Sequence, residues 1–505
     1  MPEFAPIPLG RPIPDRPHAV SCSLPTMADV RGYEDRDPAV LARLRTGYPR
    51  FLVHPFARRL GEVLAARHGL AGRTLWLASS PRMAAALVAH LRAAGPAGAA
   101  AAPFDAAGAH GATHPVSAPL AQRAKLYLQN IGGFLSSREA EDLLAALGAG
   151  PPAAAEATFA GDAEAEVLRQ LRPLFAGTGP ADLRLANSGM NAVYAAFRAV
   201  NRLQAPLGRT AWLQLGWLYL DTIAILKKFT RAPGDYLHQV DVRDTAGLAR
   251  LLAVHGSRLA GVVAEVPTNP LVETPDVGVL SALCRGHGVK LVLDPSLASA
   301  YSVDVLPYAD LVATSLTKYT GSEGDVIAGL VAVNPAGADA AELRAGLGDH
   351  LEAPYRRDLA RLAAQVGHTA SVLGRINAST ARVAEFLAAH PAVRTVHWAL
   401  SPGTRDYYLA VARQPTSTGG IISFTLQGPL APFYDRLRLP KGPSFGMTTT
   451  LICPFMYLAH YDLVNTEAGR AELRANGLEA DLLRLCVGTE PVDEIIAALA
   501  EALGP

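Results

Sequence analysis

Lys318 stands in the run Ala-Asp-Leu-Val-Ala-Thr-Ser-Leu-Thr-Lys-Tyr (309–319). The apolar stretch Asp310 to Ser315 predicts a buried strand, so the amine follows in the turn at its carboxyl end, where ligands bind in open parallel sheets. Burial lowers an amine's proton affinity and makes it a nucleophile able to condense with an aldehyde. The flanking hydroxyls of Ser315 and Thr317 can bind a phosphate. A surface lysine in a loop fits this local pattern equally well. Asp294 ends the run Val-Lys-Leu-Val-Leu-Asp (289–294). A carboxylate there is costly unless paired. A protonated ring nitrogen is one such partner, and the pairing turns an aromatic ring into an electron sink; a turn former or helix cap is the ordinary alternative. The 24 positions between them (318 − 294) span one helix or loop plus one strand, so both groups can reach one ligand from neighbouring strand ends. Ser188-Gly189-Met190 opens a predicted helix, whose free N–H groups and close backbone approach suit a phosphate, although plain capping is the commoner use. Asn269, in the turn Pro267-Thr268-Asn269-Pro270, can donate to a ring hydroxyl or simply serve the turn.

These motifs need a sheet to hold them. The runs 211–215, 260–266, 289–294, 310–315 and 327–333 are short, apolar and bounded by turn signals, with helices predicted over 188–203 and 277–287. Such spacing predicts a mostly parallel sheet covered on both faces. Upstream, residues 55–93 read as helix, short strand (74–78) and helix, 116–148 as helical, and 155–175 as one more amphipathic helix. Residues 94–113, rich in alanine and glycine, read as a flexible linker or surface loop. The last 150 residues, with a long helical stretch over 357–390, a strand over 419–426 and a closing helix over 492–503, read as an α+β domain.

Composition narrows the function. Half of the 505 residues are apolar, enough for two or three domains, and the net charge of +1 leaves no footprint for nucleic acid or an anionic membrane. Four scattered cysteines argue against a disulfide framework or a metal site. No run of about 18 uncharged apolar residues predicts a spanning helix, and the proline-rich start lacks the order of a signal peptide; a cytoplasmic protein is expected. Only six lysines occur, so one at a strand end stands out.

The ordered set Ser188-Gly189-Met190, Pro267-Thr268-Asn269-Pro270, Asp294 and Ser315-x-Thr317-Lys318-Tyr319 resembles the Cys/Met-metabolism enzymes that use pyridoxal 5′-phosphate (PLP), over roughly 180–505 plus a piece near 18–55. The long fungal-type cystathionine γ-synthases are the nearest likeness, on His18-Ala19-Val20-Ser21, Ser23-Leu24-Pro25-Thr26, Thr46 to Phe51 and Leu458-Ala459-His460-Tyr461. The resemblance implies the fold-type I architecture of the aspartate aminotransferase-like enzymes. It implies a PLP-binding large domain (166–350), a C-terminal α+β domain (351–505), and an arm (1–59) reaching into a neighbouring subunit. Residues 60–165 are then an inserted helix-rich subdomain, because Tyr48 and Gly189 lie 141 positions apart (189 − 48), far more than in compact members. Carried over residue by residue, Lys318 is the cofactor lysine and catalytic base. Ser188, Gly189, Met190, Ser315 and Thr317 hold the phosphate, joined by Tyr48 and Arg50 from the adjacent subunit. Asn269 and Asp294 face the ring, Tyr219 stacks on it and assists catalysis (Trp217 is the alternative), and Arg484 and Ser444 hold the substrate carboxylate.

Several positions depart from the compact pattern: Thr320 to Asp325 after the lysine, Pro295 after Asp294, and Met447-Thr448-Thr449-Thr450 where an acidic residue is often found. The expected reaction is γ-replacement on an O-acyl-L-homoserine by a thiol such as L-cysteine. The same residues also serve carbon–sulfur elimination, or γ-substitution by a carbon or nitrogen nucleophile. A homodimer or homotetramer with shared sites, acting on a small amino acid and needing no metal, completes the expectation.

Overall fold

The computed structural model describes residues 4–49 and 51–504. At its centre is a seven-stranded sheet in the order Leu183–Ala186, Gly329–Val333, Leu311–Ser315, Lys290–Asp294, Leu259–Glu265, Ala211–Leu215, Tyr236–Gln239. Neighbours pair in parallel except Gly329–Val333, which runs antiparallel to both strands beside it. Alternate side chains feed two cores. Leu213, Val262, Leu293, Val312 and Leu330 face one side; Trp212, Val263, Val292, Leu311 and Val331 face the other. Burial on both faces explains why these strands read as continuous apolar runs. Helix Gly189–Gln204 packs on the second face. A four-stranded antiparallel sheet, Val393–Trp398, Ile421–Leu426, Leu483–Cys486, Leu451–Pro454, carries the C-terminal half. The N-terminal segment, expected to reach a neighbouring subunit, lies against this half of its own chain: Cys22, Leu24, Met27, Val30 and Tyr33 share a core with Phe424, Tyr434 and Leu483.

Two local expectations are corrected. The alanine/glycine stretch is not a linker. Ala102–Ala106 and Ala109–Pro115 form a hairpin that joins Arg73–Ala78 in a three-stranded antiparallel sheet. Its two-residue turn, Ala107-Gly108, has positive φ at both positions, as a tight hairpin following the strand twist requires. Gly111 is obligatory, since a Cβ there would sit 2.2 Å from the Trp76 carbonyl oxygen. The helix expected over 155–175 is confined to Ala163–Leu171, capped by Asp162. The preceding strand of chain is instead pinned along helix Arg356–Val366, with Phe159 N–H donating to Ala360 O (2.9 Å) and Arg361 Nη1 to Ala157 O (2.8 Å). Backbone bonds to a neighbour replaced the local helical ones.

Residues 60–165, expected as an inserted subdomain, share a core with the large sheet: Met83, Leu87, Leu120 and Leu128 pack with Val292 and Val331. The insertion is also tied by charge. Arg138, 1% exposed, donates to Glu156, to Asp358 Oδ1 (2.8 Å) and to the Asp325 carbonyl oxygen (2.7 Å). Asp325 accepts from Arg16 (2.9 Å) and Arg361 (3.0 Å). A guanidinium of the insertion therefore grips the loop that follows Lys318. Among the described residues no helix is long and apolar enough to cross a membrane, and no cluster of three His, Cys, Asp or Glu could hold a metal.

Candidate active site

Five strand ends and the start of helix Gly189–Gln204 converge on one pocket between the large sheet and the C-terminal sheet. Lys318, Asp294, Asn269, Tyr219, Gly189, Met190, Ser315, Ser444, Arg484 and Tyr48 all line it. Lys318 Nζ donates to Ser444 Oγ (2.7 Å) and lies 4.8 Å from the Tyr48 ring centre and 4.9 Å from that of Phe445. Ser444 holds φ at 96°, a strained conformation for a residue with a Cβ, and that strain aims its hydroxyl at the amine. Arg484, 6% exposed, leaves strand Leu483–Cys486 and lies between the rings of Phe445 (5.0 Å) and Phe455 (4.7 Å). Its Nη1 donates to Asn269 Oδ1 (3.1 Å) and its Nη2 to Ser444 O (3.3 Å), whereas its buried Nε has no protein acceptor.

Asp294 lies at the floor, where the N–H (2.8 Å) and hydroxyl (2.5 Å) of Ser296 donate to its Oδ1. Burial lifts its carboxyl to about 6 against the pull of those bonds. Beside it sits Glu265, absent from the sequence expectations. Its own burial, and then the charge of Asp294, push it well above the usual carboxylate range. The signal was available, since Glu265 also ends a buried apolar strand. Phe445, Phe455, Leu458 and Cys453, also unforeseen, form the apolar wall; apolar residues of this kind read in sequence as ordinary core and carry no local signature of a site.

Not every expected residue faces this pocket. The Ser188 hydroxyl caps the helix, accepting from Asn191 N–H (3.1 Å), and Ser188 lines an adjoining cleft. Thr317 Oγ1 is buried and exchanges hydrogen bonds with Ala328 N–H (3.0 Å) and O (3.3 Å), which fastens the lysine loop to the sheet. Trp217 turns away to donate to His460 Nε2 (3.0 Å), leaving Tyr219 on the pocket wall. Thr449 is not among the lining residues either. Tyr48 contributes to the site of its own chain, and Arg50 lies outside the described residues.

The residues present fit a phosphorylated pyridine aldehyde. Ser315 Oγ is buried without a partner. Next to it, a Cβ on Gly189 would approach Ser315 Cβ to 2.7 Å, so the backbone there is bare. The first N–H groups of the helix have no intrahelical acceptor and attract a phosphate. An acid for the ring nitrogen and an amine for the aldehyde line the same pocket.

Comparison with known proteins agrees. The sequence matches the Cys/Met metabolism PLP-dependent enzyme family over residues 174–504. It is 40% identical over 493 residues, 97% of both chains, to an L-2-amino-4-chloropent-4-enoate dechlorinase/desaturase of Streptantibioticus cattleyicolor. It is 31% identical over 327 residues, 64% of this chain and 52% of the relative, to cystathionine γ-synthase of Neurospora crassa. The fold matches cystathionine γ-synthase of Xanthomonas oryzae pv. oryzae with a TM-score of 0.56 at 24% identity, over 66% of this chain and 83% of that one. The chain therefore belongs to the Cys/Met metabolism PLP-dependent enzymes, and its cofactor is pyridoxal phosphate.

Proposed function

We propose that this enzyme eliminates a γ-substituent, chloride in particular, from a small L-amino acid. When bound, the cofactor withdraws electrons from the substrate's α-carbon, which acidifies its neighbouring C–H bonds. Arg484 forks onto the substrate carboxylate, its uncommitted Nε included, and the flanking phenylalanines keep water from that pair. Ser444 holds Lys318 Nζ, which takes the proton from a substrate carbon. Chloride leaves with its bonding pair, so the product carries one more unsaturation and HCl is lost overall. Asp294 keeps the ring nitrogen protonated throughout.

One observation carries this reading: the C-terminal residues Phe445, Cys453, Phe455, Leu458 and Ala459 give the pocket an apolar wall, and Arg484 is the one guanidinium among the described residues lining it. A second amino acid entering as nucleophile needs a second cation for its carboxylate. The likeness to the dechlorinase/desaturase along nearly the whole of both chains supports the same choice. γ-Replacement on an O-acyl-L-homoserine by a thiol such as L-cysteine is the second reading, supported by the likeness to the fungal synthase. The test is to give the holoenzyme L-2-amino-4-chloropent-4-enoate, or O-acetyl- and O-succinyl-homoserine with and without cysteine, and to read chloride release and product mass. Chloride without thiol is expected; a thioether formed only with cysteine would reverse the assignment. The active unit is proposed to be a homodimer or homotetramer, which light scattering of the active fraction would test.

A further inference from the structure

Glu265 and Asp294 are direct partners in parallel register, so their side chains leave adjacent strands on the same face. Two acids side by side in a pocket floor repel each other, and a buried carboxyl is kept at such a place only where its acceptors are used. Those of Glu265 are divided between two loops. Oε1 accepts the Tyr219 N–H (2.6 Å), at the end of the loop after strand Ala211–Leu215. Oε2 accepts the Asn269 N–H (3.0 Å), in the turn after its own strand. Asn269 in turn offers Oδ1 to Arg484 Nη1 (3.1 Å). One side chain thus connects the tyrosine on the pocket wall, the asparagine and the arginine.

We propose that Glu265 is a positioning residue: its carboxylate holds Tyr219, Asn269 and, through Asn269, Arg484 in fixed relation to Asp294, and so sets the orientation in which a substrate meets the cofactor. Two backbone donors approaching from different loops require two acceptor atoms at fixed separation. A glutamine supplies one acceptor and turns an N–H donor toward the other N–H. An aspartate keeps the carboxyl group and is one methylene too short to reach both. The inference rests on the carboxylate-binding role given to Arg484 and is independent of the leaving group.

The experiment compares Glu265→Gln and Glu265→Asp with the parent enzyme. In apo-protein, amide hydrogen exchange at whichever of Tyr219 and Asn269 loses its acceptor is expected to quicken about tenfold or more in each variant, the loss of roughly one hydrogen bond. In holoenzyme, KM is expected to rise about tenfold in both, with a changed circular dichroism of the visible cofactor band. Because Glu265→Asp retains the carboxyl group, its sharing the KM defect separates positioning from the chemistry of the acid, and it carries the test alone if the glutamine variant does not fold. Unchanged exchange at the two amides overturns the proposal. So does faster exchange with KM and dichroism as in the parent. Failure of the Arg484 assignment shows itself separately, as kinetics insensitive to Arg484→Ala.

Discussion

Replacing Arg484 by alanine removes the guanidinium that faces the pocket between Phe445 and Phe455. Each charge-assisted hydrogen bond to a substrate carboxylate is worth roughly 1.5–3 kcal/mol. Two of them in a water-poor setting amount to about 3–6 kcal/mol, or roughly a 10²- to 10⁴-fold loss in kcat/KM. The variant also leaves Asn269 Oδ1 and Ser444 O without their donor, so the upper part of that range is expected. Arg484→Lys should recover only part, since an ammonium cannot fork. The assay measures kcat/KM for an L-amino-acid substrate and for the matching amine without the carboxylate. The parent enzyme should prefer the amino acid strongly and Arg484→Ala should not, while the visible cofactor band stays in place. A variant that discriminates as the parent does, or that loses activity equally on both compounds, would refute the carboxylate role.

Lys318→Ala should abolish the visible absorption of the purified protein, and a retained band would point to another lysine as the attachment point. Arg138→Ala should destabilise the fold by about 3–5 kcal/mol at pH 7, because Glu156, Asp358 and the Asp325 carbonyl lose their buried donor. Denaturant unfolding should show a smaller loss as the pH is lowered, since Asp358, held above the usual carboxylate range by burial, takes up a proton more readily than a free carboxylate. His18 is driven down to about 2 by burial and by the charge of Arg138, although Glu141 lies 3.2 Å away. The unfolded chain therefore binds a proton below pH 6.5 that the folded one refuses. Stability should fall by about 1.4 kcal/mol per pH unit from 6.5 downward. His18→Gln should flatten that slope, and an unaltered acid-unfolding curve would show that His18 charges within the fold.

The large sheet was legible because its strands are buried on both sides and so announce themselves as unbroken apolar runs. Lys318 and Asp294 were legible as members of an ordered set, since each alone also fits a surface loop or a turn. Glu265 also ends a buried apolar strand, and nothing else in its sequence surroundings marks it. Hydroxyls were harder to place: Ser188, Thr317 and Ser315 look alike in sequence, yet two are consumed by a helix cap and by Ala328, and only Ser315 is left for a ligand. The alanine-rich hairpin was hidden because its strands are specified by a turn geometry and by one missing Cβ at Gly111, rather than by β-branched residues. The side on which Tyr48 lies depends on how the N-terminal segment packs on the C-terminal sheet, which no local pattern encodes.

The grip of Arg138 on the loop after the lysine has an evolutionary corollary. Removing residues 60–165 would take away Arg138 and its partner Glu156 together. Asp358 would lose its counter-ion and the buried Asp325 carbonyl, in the loop after the reactive amine, would lose its donor. A shortened descendant would therefore first have to discharge Asp358.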